Sequence, residues 1–198
     1  MYGYLKGKIT SKTPTFVYVE CGGVGYQVNI SLNTFGELDG KEDVKLYTHL
    51  QVKEDDLSLW GFLTEHEKQL FILLISVSGV GANTARVILS YLKTDELQKI
   101  IANGDAVSLS KIKGLGPKTA QKIIIDLRDK VIKLSGLEAG SPLVVGESNK
   151  LREDALSALL ALGFVKASVE KALQQVLQKN PQINQVETLI KEVLKHMS

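Results

Sequence analysis

Three observations in the 198-residue sequence predict a multidomain α+β protein. The first 63 residues carry short β-rich runs, the hydrophobic period becomes helical after Thr64, and a seven-residue glycine motif in the helical part occurs twice. With 44% hydrophobic residues, the chain has enough apolar material for separate folded cores.

The β-rich runs are Tyr4–Ile9, Phe16–Cys21, Tyr26–Ile30, Val44–Val52 and Leu57–Phe62, most of them separated by Gly, Asp or Asn. Five strands in about 60 residues suit a small closed Greek-key barrel of the OB type better than an open sheet, because closure removes unpaired edges. Residues 1–63 are expected to form this domain.

Residues 64–134 are expected to be all helix. Leu70, Phe71, Leu73, Leu74 and Val77 recur at helical spacing, and the pattern continues through Ile88, Leu89, Leu92, Leu97, Ile100 and Ile101. From 135 to 149 the periodicity stops and Gly, Ser and Pro accumulate, which reads as a flexible linker with a root-mean-square reach of roughly 20 Å. Residues 150–198 offer three further stripes: Leu156, Leu159, Leu160 and Leu162; then Val169, Ala172, Leu173, Val176 and Leu177; then Val186, Leu189, Ile190, Val193 and Leu194. They predict a three-helix bundle.

The formal charge of +2 conceals segregation. Residues 1–63 hold 6 Lys and Arg against 8 Asp and Glu, residues 64–134 hold 11 against 7, and residues 135–198 hold 7 against 7. The basic excess therefore lies in the helical middle, where a polyanion would sit. A single cysteine, Cys21, leaves no intrachain disulfide and no thiolate metal cluster. No secretory leader and no run of about 18 apolar residues is evident, so a cytoplasmic protein with no membrane partner is expected.

The motif Gly79-Val80-Gly81-Ala82-Asn83-Thr84-Ala85 returns 35 residues later as Gly114-Leu115-Gly116-Pro117-Lys118-Thr119-Ala120. Each copy follows an apolar helical stretch and opens another helix, which is the pattern of a helix-hairpin-helix. A tight hairpin needs glycine where φ is positive, and a missing side chain lets a phosphate approach the backbone. The following helix start presents unpaired N–H groups and partial positive charge, to which the Thr hydroxyls and the Lys118 ammonium add. Such a cradle binds phosphate without reading bases. A nucleotide-binding phosphate loop is a poor alternative, because it needs adjacent Gly and Lys after a strand, whereas Pro117 separates Gly116 from Lys118.

Together with Gly22-Gly23-Val24-Gly25-Tyr26, Lys53-Glu54-Asp55 and Trp60-Gly61-Phe62, these paired hairpins and the terminal helices resemble the RuvA family along essentially the whole chain. RuvA is the DNA-binding subunit of the bacterial Holliday junction branch migration complex. The resemblance implies a homotetramer, alone or as a pair of tetramers, with the barrels central and the hairpins facing four DNA arms. It also implies the RuvB ATPase as partner, with the RuvC resolvase in a larger complex, and a role in recombination and DNA repair.

Carried over on matching positions, the DNA-binding residues are Gly79, Val80, Gly81, Asn83, Thr84, Gly114, Leu115, Gly116, Lys118 and Thr119. One departs from the family pattern: Asn83 stands where a basic residue is common. Glu54 and Asp55 match an acidic pin at the tetramer centre, where carboxylates repel phosphates and help keep the junction open. The surface around Leu159, Leu162 and Phe164 is the expected RuvB-docking patch. No cofactor, metal or catalytic residue is implied, and the energy source would be the partner ATPase.

The alternative is a helix-hairpin-helix repair enzyme, a glycosylase or nuclease. A glycosylase wants an Asp roughly 20 residues past the hairpin, where this chain has Gly136; Asp126 and Asp129 lie nearer, at positions suited to helix pairing with Lys130 and Lys133. A general DNA-repair scaffold without junction preference is the third class. His49, His66 and His196 lack an acid or nucleophile partner in any motif, and with Trp60 they read as satisfied or solvated side chains.

Overall fold

A computed structural model describes residues 2–134, 147–180 and 182–197. The chain divides into two compact units, Met1–Ala139 and Gly140–Ser198. Among the described residues, no helix is long and apolar enough to cross a membrane.

Five strands close a barrel in the order β1-β2-β3-β5-β4: β1 (Tyr4–Lys12), β2 (Phe16–Cys21), β3 (Val24–Asn29), β4 (Asp43–Val52) and β5 (Leu57–Phe62). The OB-type expectation holds. β4 pairs antiparallel with both β5 and β1, and β3 meets β5 in parallel at Val28↔Leu59 and Asn29↔Trp60. Leu5, Val17, Val19, Val28, Ile30 and Leu46 fill the interior. β1 runs three residues past the expected Ile9 because a bulge between Ile9 and Ser11 breaks the alternation without ending the pairing to β2. β3 also starts and ends earlier than expected, at Val24 and Asn29 instead of Tyr26 and Ile30.

A short helix that the periodicity did not announce, α1 (Leu32–Glu37), joins β3 to β4. Its signal is a cap: Ser31 Oγ accepts from the Thr34 amide at 3.1 Å. α1 also ties the barrel to the helices, since Asn33 Nδ2 donates to the Leu89 carbonyl at 2.7 Å and the Leu32 amide donates to Ser90 Oγ at 3.0 Å.

Five helices complete the first unit: α2 (Glu65–Ile75), α3 (Ala82–Tyr91), α4 (Thr94–Asn103), α5 (Ala106–Ser110) and α6 (Pro117–Leu134). Their core is continuous with barrel residues Trp60 and Phe62. Phe71 of α2 makes the join, with its ring centroid 5.3 Å from that of Trp60 and 4.9 Å from that of Phe62. Beside it, Thr64 caps α2 by accepting from the Glu67 amide at 3.1 Å. The buried Glu67 carboxylate in turn accepts from the Leu63 amide at 3.2 Å and from the Ser31 and Thr34 hydroxyls, both at 3.5 Å. One side chain thereby touches the end of the barrel, the start of α1 and the first turn of α2.

The second unit packs α7 (Glu147–Ala161), α8 (Lys166–Lys179) and α9 (Val186–Met197) around Leu151, Ala155, Leu159, Val169, Leu173 and Val193. Residues 147–149, expected as linker, are the first turn of α7; the remainder of that expected linker lies outside the described residues. The leucine stripe expected from Leu156 to Leu162 also divides. Leu159 is fully buried, whereas Leu162 lies beyond the helix end and is 63% exposed.

Burial holds the Glu67 carboxyl above its ordinary range, against the donors that favour the anion. The folded state therefore keeps this proton more tightly than the unfolded chain does. The associated stability is fully present below the unfolded pKa of about 4.3 and is lost as pH rises through the raised value. For Glu67→Gln, the melting temperature relative to the parent should become more positive as pH rises from about 4 to 8. Melts across that range check this, and a difference that moves the other way contradicts it.

Candidate nucleic-acid interface

The sequence repeat is a backbone repeat. In the first hairpin α2 leads through Ser76–Gly81 into α3; in the second α5 leads through Lys111–Gly116 into α6. The Val77 and Ile112 amides each donate to the carbonyl three residues back, at 3.1 Å in both copies. Val80 N–H donates to Val77 O at 2.9 Å and Leu115 N–H to Ile112 O at 3.0 Å; the Ala85 and Ala120 amides close the first helical turn on Gly81 and Gly116 at 2.9 Å. Buried pairs repeat too: Leu74 with Leu109, Val77 with Ile112, Ala85 with Ala120 and Ile88 with Ile123. The homology therefore begins upstream of the glycines, in apolar positions that the motif comparison missed.

The two glycines of each copy do different jobs. Gly79 and Gly114 have φ of 92° and 88°, the left-handed region that a side chain disfavours. Gly81 has φ of −85°, and a Cβ on Gly81 or Gly116 would meet nothing within 4 Å. Neither packing nor backbone geometry needs glycine there, so the bare surface remains open to an approaching group. Val80 and Leu115, included among the binding residues by their place in the motif, point inward at 5% and 4% exposure and spend their amides inside the turn. They anchor the hairpin from within.

The helix starts carry the available donors. Ala82, Asn83 and Thr84 open α3, whose N-cap Gly81 provides no side-chain cap; their amides lie before the first i→i−4 bond of the helix. In α6, Pro117 takes the first position and has no N–H, leaving the Lys118 and Thr119 amides. Asn83 and Lys118 are exposed, while Thr84 and Thr119 are half-buried.

Charge breaks the symmetry more widely than Asn83 suggests. The exposed positions Lys111, Lys113 and Lys118 of the second hairpin correspond to Ser76, Ser78 and Asn83 of the first. Arg86 of α3 is turned toward the barrel, with its guanidinium 5.7 Å from the Trp60 ring centroid and Nη1 donating to Thr15 O at 3.4 Å.

Glu54 and Asp55 occupy the exposed tip of the β4–β5 turn, which closes through Lys53 N–H to Asp56 O at 2.8 Å. Val52 and Leu57, the last pair of that ladder, are 67% and 72% exposed, so the turn stands clear of the barrel wall. Asp56 differs from its neighbours because its Oδ2 accepts from the Ser58 hydroxyl. A small pocket brings this turn to the first hairpin: Lys53, Asp56, Ser58 and Trp60 line it together with Gly81, Ala82 and Asn83. Trp60, expected to be satisfied or solvated, is buried, and among the described residues its indole Nε1–H has no acceptor.

In the second unit, α7 ends in a left-handed Gly163 with φ of 92°. Gly163 N–H donates to Leu160 O at 3.0 Å and Phe164 N–H to Leu159 O at 3.2 Å, a pair of bonds that terminates the helix. The turn leaves Leu162, Phe164 and Val165 exposed, while Leu159 lies beneath in the core. Of the residues expected to dock the partner, Leu159 is therefore buried, and Val165, at 69% exposure, lies beside the exposed Leu162 and Phe164.

Other titratable groups have local roles. His49 packs against Phe71 at 5.8 Å, with its pKa lowered by burial and by Lys68, and His196 Nε2 lies 2.7 Å from Gln175 Oε1. Asp105 caps α5 through the Ser108 hydroxyl and amide, which lower its pKa. The expected pairs Asp126 with Lys130 and Asp129 with Lys133 do not form ion pairs among the described residues; both aspartates are exposed on α6. Gly136 lies outside the described residues. Among the described residues no group of three His, Cys, Asp or Glu could hold a metal.

A closed barrel whose wall residues Trp60 and Phe62 join the core of two hairpins with matching backbone bonds, each leading into a helix start whose amides have no partner among the described residues, defines a barrel-linked tandem helix-hairpin-helix protein. Family models match region by region: the RuvA N terminal domain over residues 1–61, the SAM-like helix-hairpin-helix tandem over 71–129, and the RuvA C-terminal domain over 150–198. Proteins described as Holliday junction branch migration complex subunit RuvA match end to end, with full coverage of both chains. They are 47% identical in Flavobacterium psychrophilum, 45% in Christiangramia forsetii and 42% in Bacteroides fragilis. The chain belongs to the RuvA family.

The two glycine roles separate experimentally. Gly79→Ala or Gly114→Ala should lower stability by about 1–2 kcal/mol through left-handed strain. Gly81→Ala or Gly116→Ala should cost under about 1 kcal/mol, the difference between glycine and alanine at an N-cap, while weakening DNA binding at least as much. Denaturant melts beside DNA titrations check this; equal stability losses at all four positions would refute the division.

Proposed function

We propose that the chain binds four-way DNA junctions as a homotetramer, holds them open and presents them to the RuvB ATPase for branch migration in recombination and repair. The observation that carries this reading is the matched pair of hairpins, each with an inward apolar anchor, an open glycine and helix-start amides that have no partner among the described residues. Such cradles hold phosphates at fixed places and leave bases unread, so selectivity must come from the spacing of several cradles. A single chain offers two. Four chains around a centre offer eight, spaced for four arms, and multiply individually weak contacts.

The exposed Glu54 and Asp55 tip supports an acidic pin at that centre. Two unit charges of like sign 4 Å apart repel by about 1 kcal/mol even in bulk water, so a duplex crossing the centre is disfavoured while separated strands pass around it. Leu162, Phe164 and Val165 supply an apolar surface for the ATPase, and RuvC would join on the assembled junction. In this reading branch migration draws its energy from the partner, and the chain's part is to position DNA.

A synthetic four-way junction should outcompete linear duplex of equal length without metal or ATP. If each of eight hairpins neutralises one phosphate, log affinity should fall against log salt with a slope of about −7. Equal affinity for both DNAs would favour a general scaffold, and base release or strand cleavage a repair enzyme. Replacing the pin with Glu54→Gln and Asp55→Asn should raise duplex affinity and narrow the junction preference severalfold; unchanged competition ratios would remove the pin from the mechanism.

A further inference from the structure

We infer that the pocket between the first hairpin and the β4–β5 turn is a composite phosphate site, in which Lys53 of the barrel supplies the cation that the hairpin lacks at Asn83. The inference deepens the junction-binding reading and rests on it. In the second hairpin, anion-binding groups are local, with the Lys118 and Thr119 amides beside the Lys118 ammonium. The first hairpin has one more free amide, because Ala82 replaces Pro117, but Ser76, Ser78 and Asn83 carry no charge. Its nearest arginine, Arg86, is committed to Thr15 and Trp60.

Lys53 lines the same pocket as the Gly81-Ala82-Asn83 helix start and makes no ion pair among the described residues. Gln51, Ser58 and Asn29 add polar groups to the lining, although Asn29 Nδ2 already donates to Leu59 O at 3.1 Å. Two further features belong to the same pocket. Trp60, which also lines the pocket, is 95% buried with an indole N–H that has no partner among the described residues. The open Cβ direction at Gly81 leaves the approach to the helix start clear. The one opposing charge in the lining is Asp56, whose Oδ2 accepts from the Ser58 hydroxyl, which partly offsets it. A phosphate diester entering here would meet the Ala82 and Asn83 amides on one side and the Lys53 ammonium on the other.

The test is a salt titration of four-way junction binding by the full chain and by Lys53→Gln, Asn83→Lys, the double variant and Lys118→Gln. Lys53 sits in an exposed turn, so melting temperatures should stay near the parent's. If Lys53 neutralises one phosphate per subunit, Lys53→Gln should reduce the log–log slope from about −7 to about −4, and Asn83→Lys should restore it by placing a cation at the position Lys118 holds in the second hairpin. Emission from Trp60, the single tryptophan, should change on junction binding in the parent and change less in Lys53→Gln. An unchanged slope for Lys53→Gln beside a reduced slope for Lys118→Gln overturns the composite site and leaves the junction reading standing. Failure of the double variant to recover also overturns it, because Lys53 would then act elsewhere. Unchanged slopes for both lysine variants sink the hairpin reading and this inference together.

Discussion

Phe71 is the contact on which the rest of the first unit depends. Its ring lies against both Trp60 and Phe62, so the barrel wall and the first hairpin helix share one apolar core. Replacing an aromatic ring in such a place leaves a cavity that costs several kcal/mol, and the loss here would fall at the joint between two architectures. With the joint rigid, the hairpins inherit a fixed attitude to the barrel, and the β4–β5 turn stands beside the first hairpin. Glu67 reinforces the same joint with polar contacts to Leu63, Ser31 and Thr34. Apolar packing sets the orientation and the buried carboxylate makes it specific.

Much of this was legible in the sequence. Phe16–Cys21 and Leu57–Phe62 end where strand sequence ends, and Gly22-Gly23 marks the first of those turns. The hairpins were readable because a repeat specifies a backbone: left-handed positions at Gly79 and Gly114 admit few other residues. What escaped was whatever has no period. α1 is six residues held by one serine cap, too short for a stripe. The bulge in β1 interrupts alternation without ending the strand. Leu159 and Leu162 both read as apolar helix positions, and only the left-handed Gly163 decides that the helix ends between them and that one is core while the other is surface.

The site was legible in its parts but not in its assembly. Glycines, threonines and Lys118 announce themselves by type and spacing. The proximity of Lys53 to Asn83 does not, because it depends on a barrel closing and on Phe71 fixing the helices against it. Trp60 shows the same limit. Its burial follows from its type, but the missing partner of its N–H is a property of the folded surroundings. Val80 and Leu115 lie inside the motif and yet serve the core, so membership of a motif does not distinguish groups that touch a ligand from groups that hold the turn in shape.

The unequal charging of the two hairpins has a kinetic consequence. Lys111, Lys113 and Lys118 project a field that reaches about a Debye length, roughly 10 Å at 0.1 M salt, and so act on a polyanion before contact. The serines and asparagine of the first hairpin act only at hydrogen-bond range, and Lys53 is screened at a distance by Glu54, Asp55 and Asp56. On the proposed junction-binding function, encounter would be governed by one hairpin and the other would add to the lifetime of a complex already formed, because long-range charge sets association rates and short-range bonds set dissociation. On that proposal, twin motifs with a single backbone design would divide capture from retention.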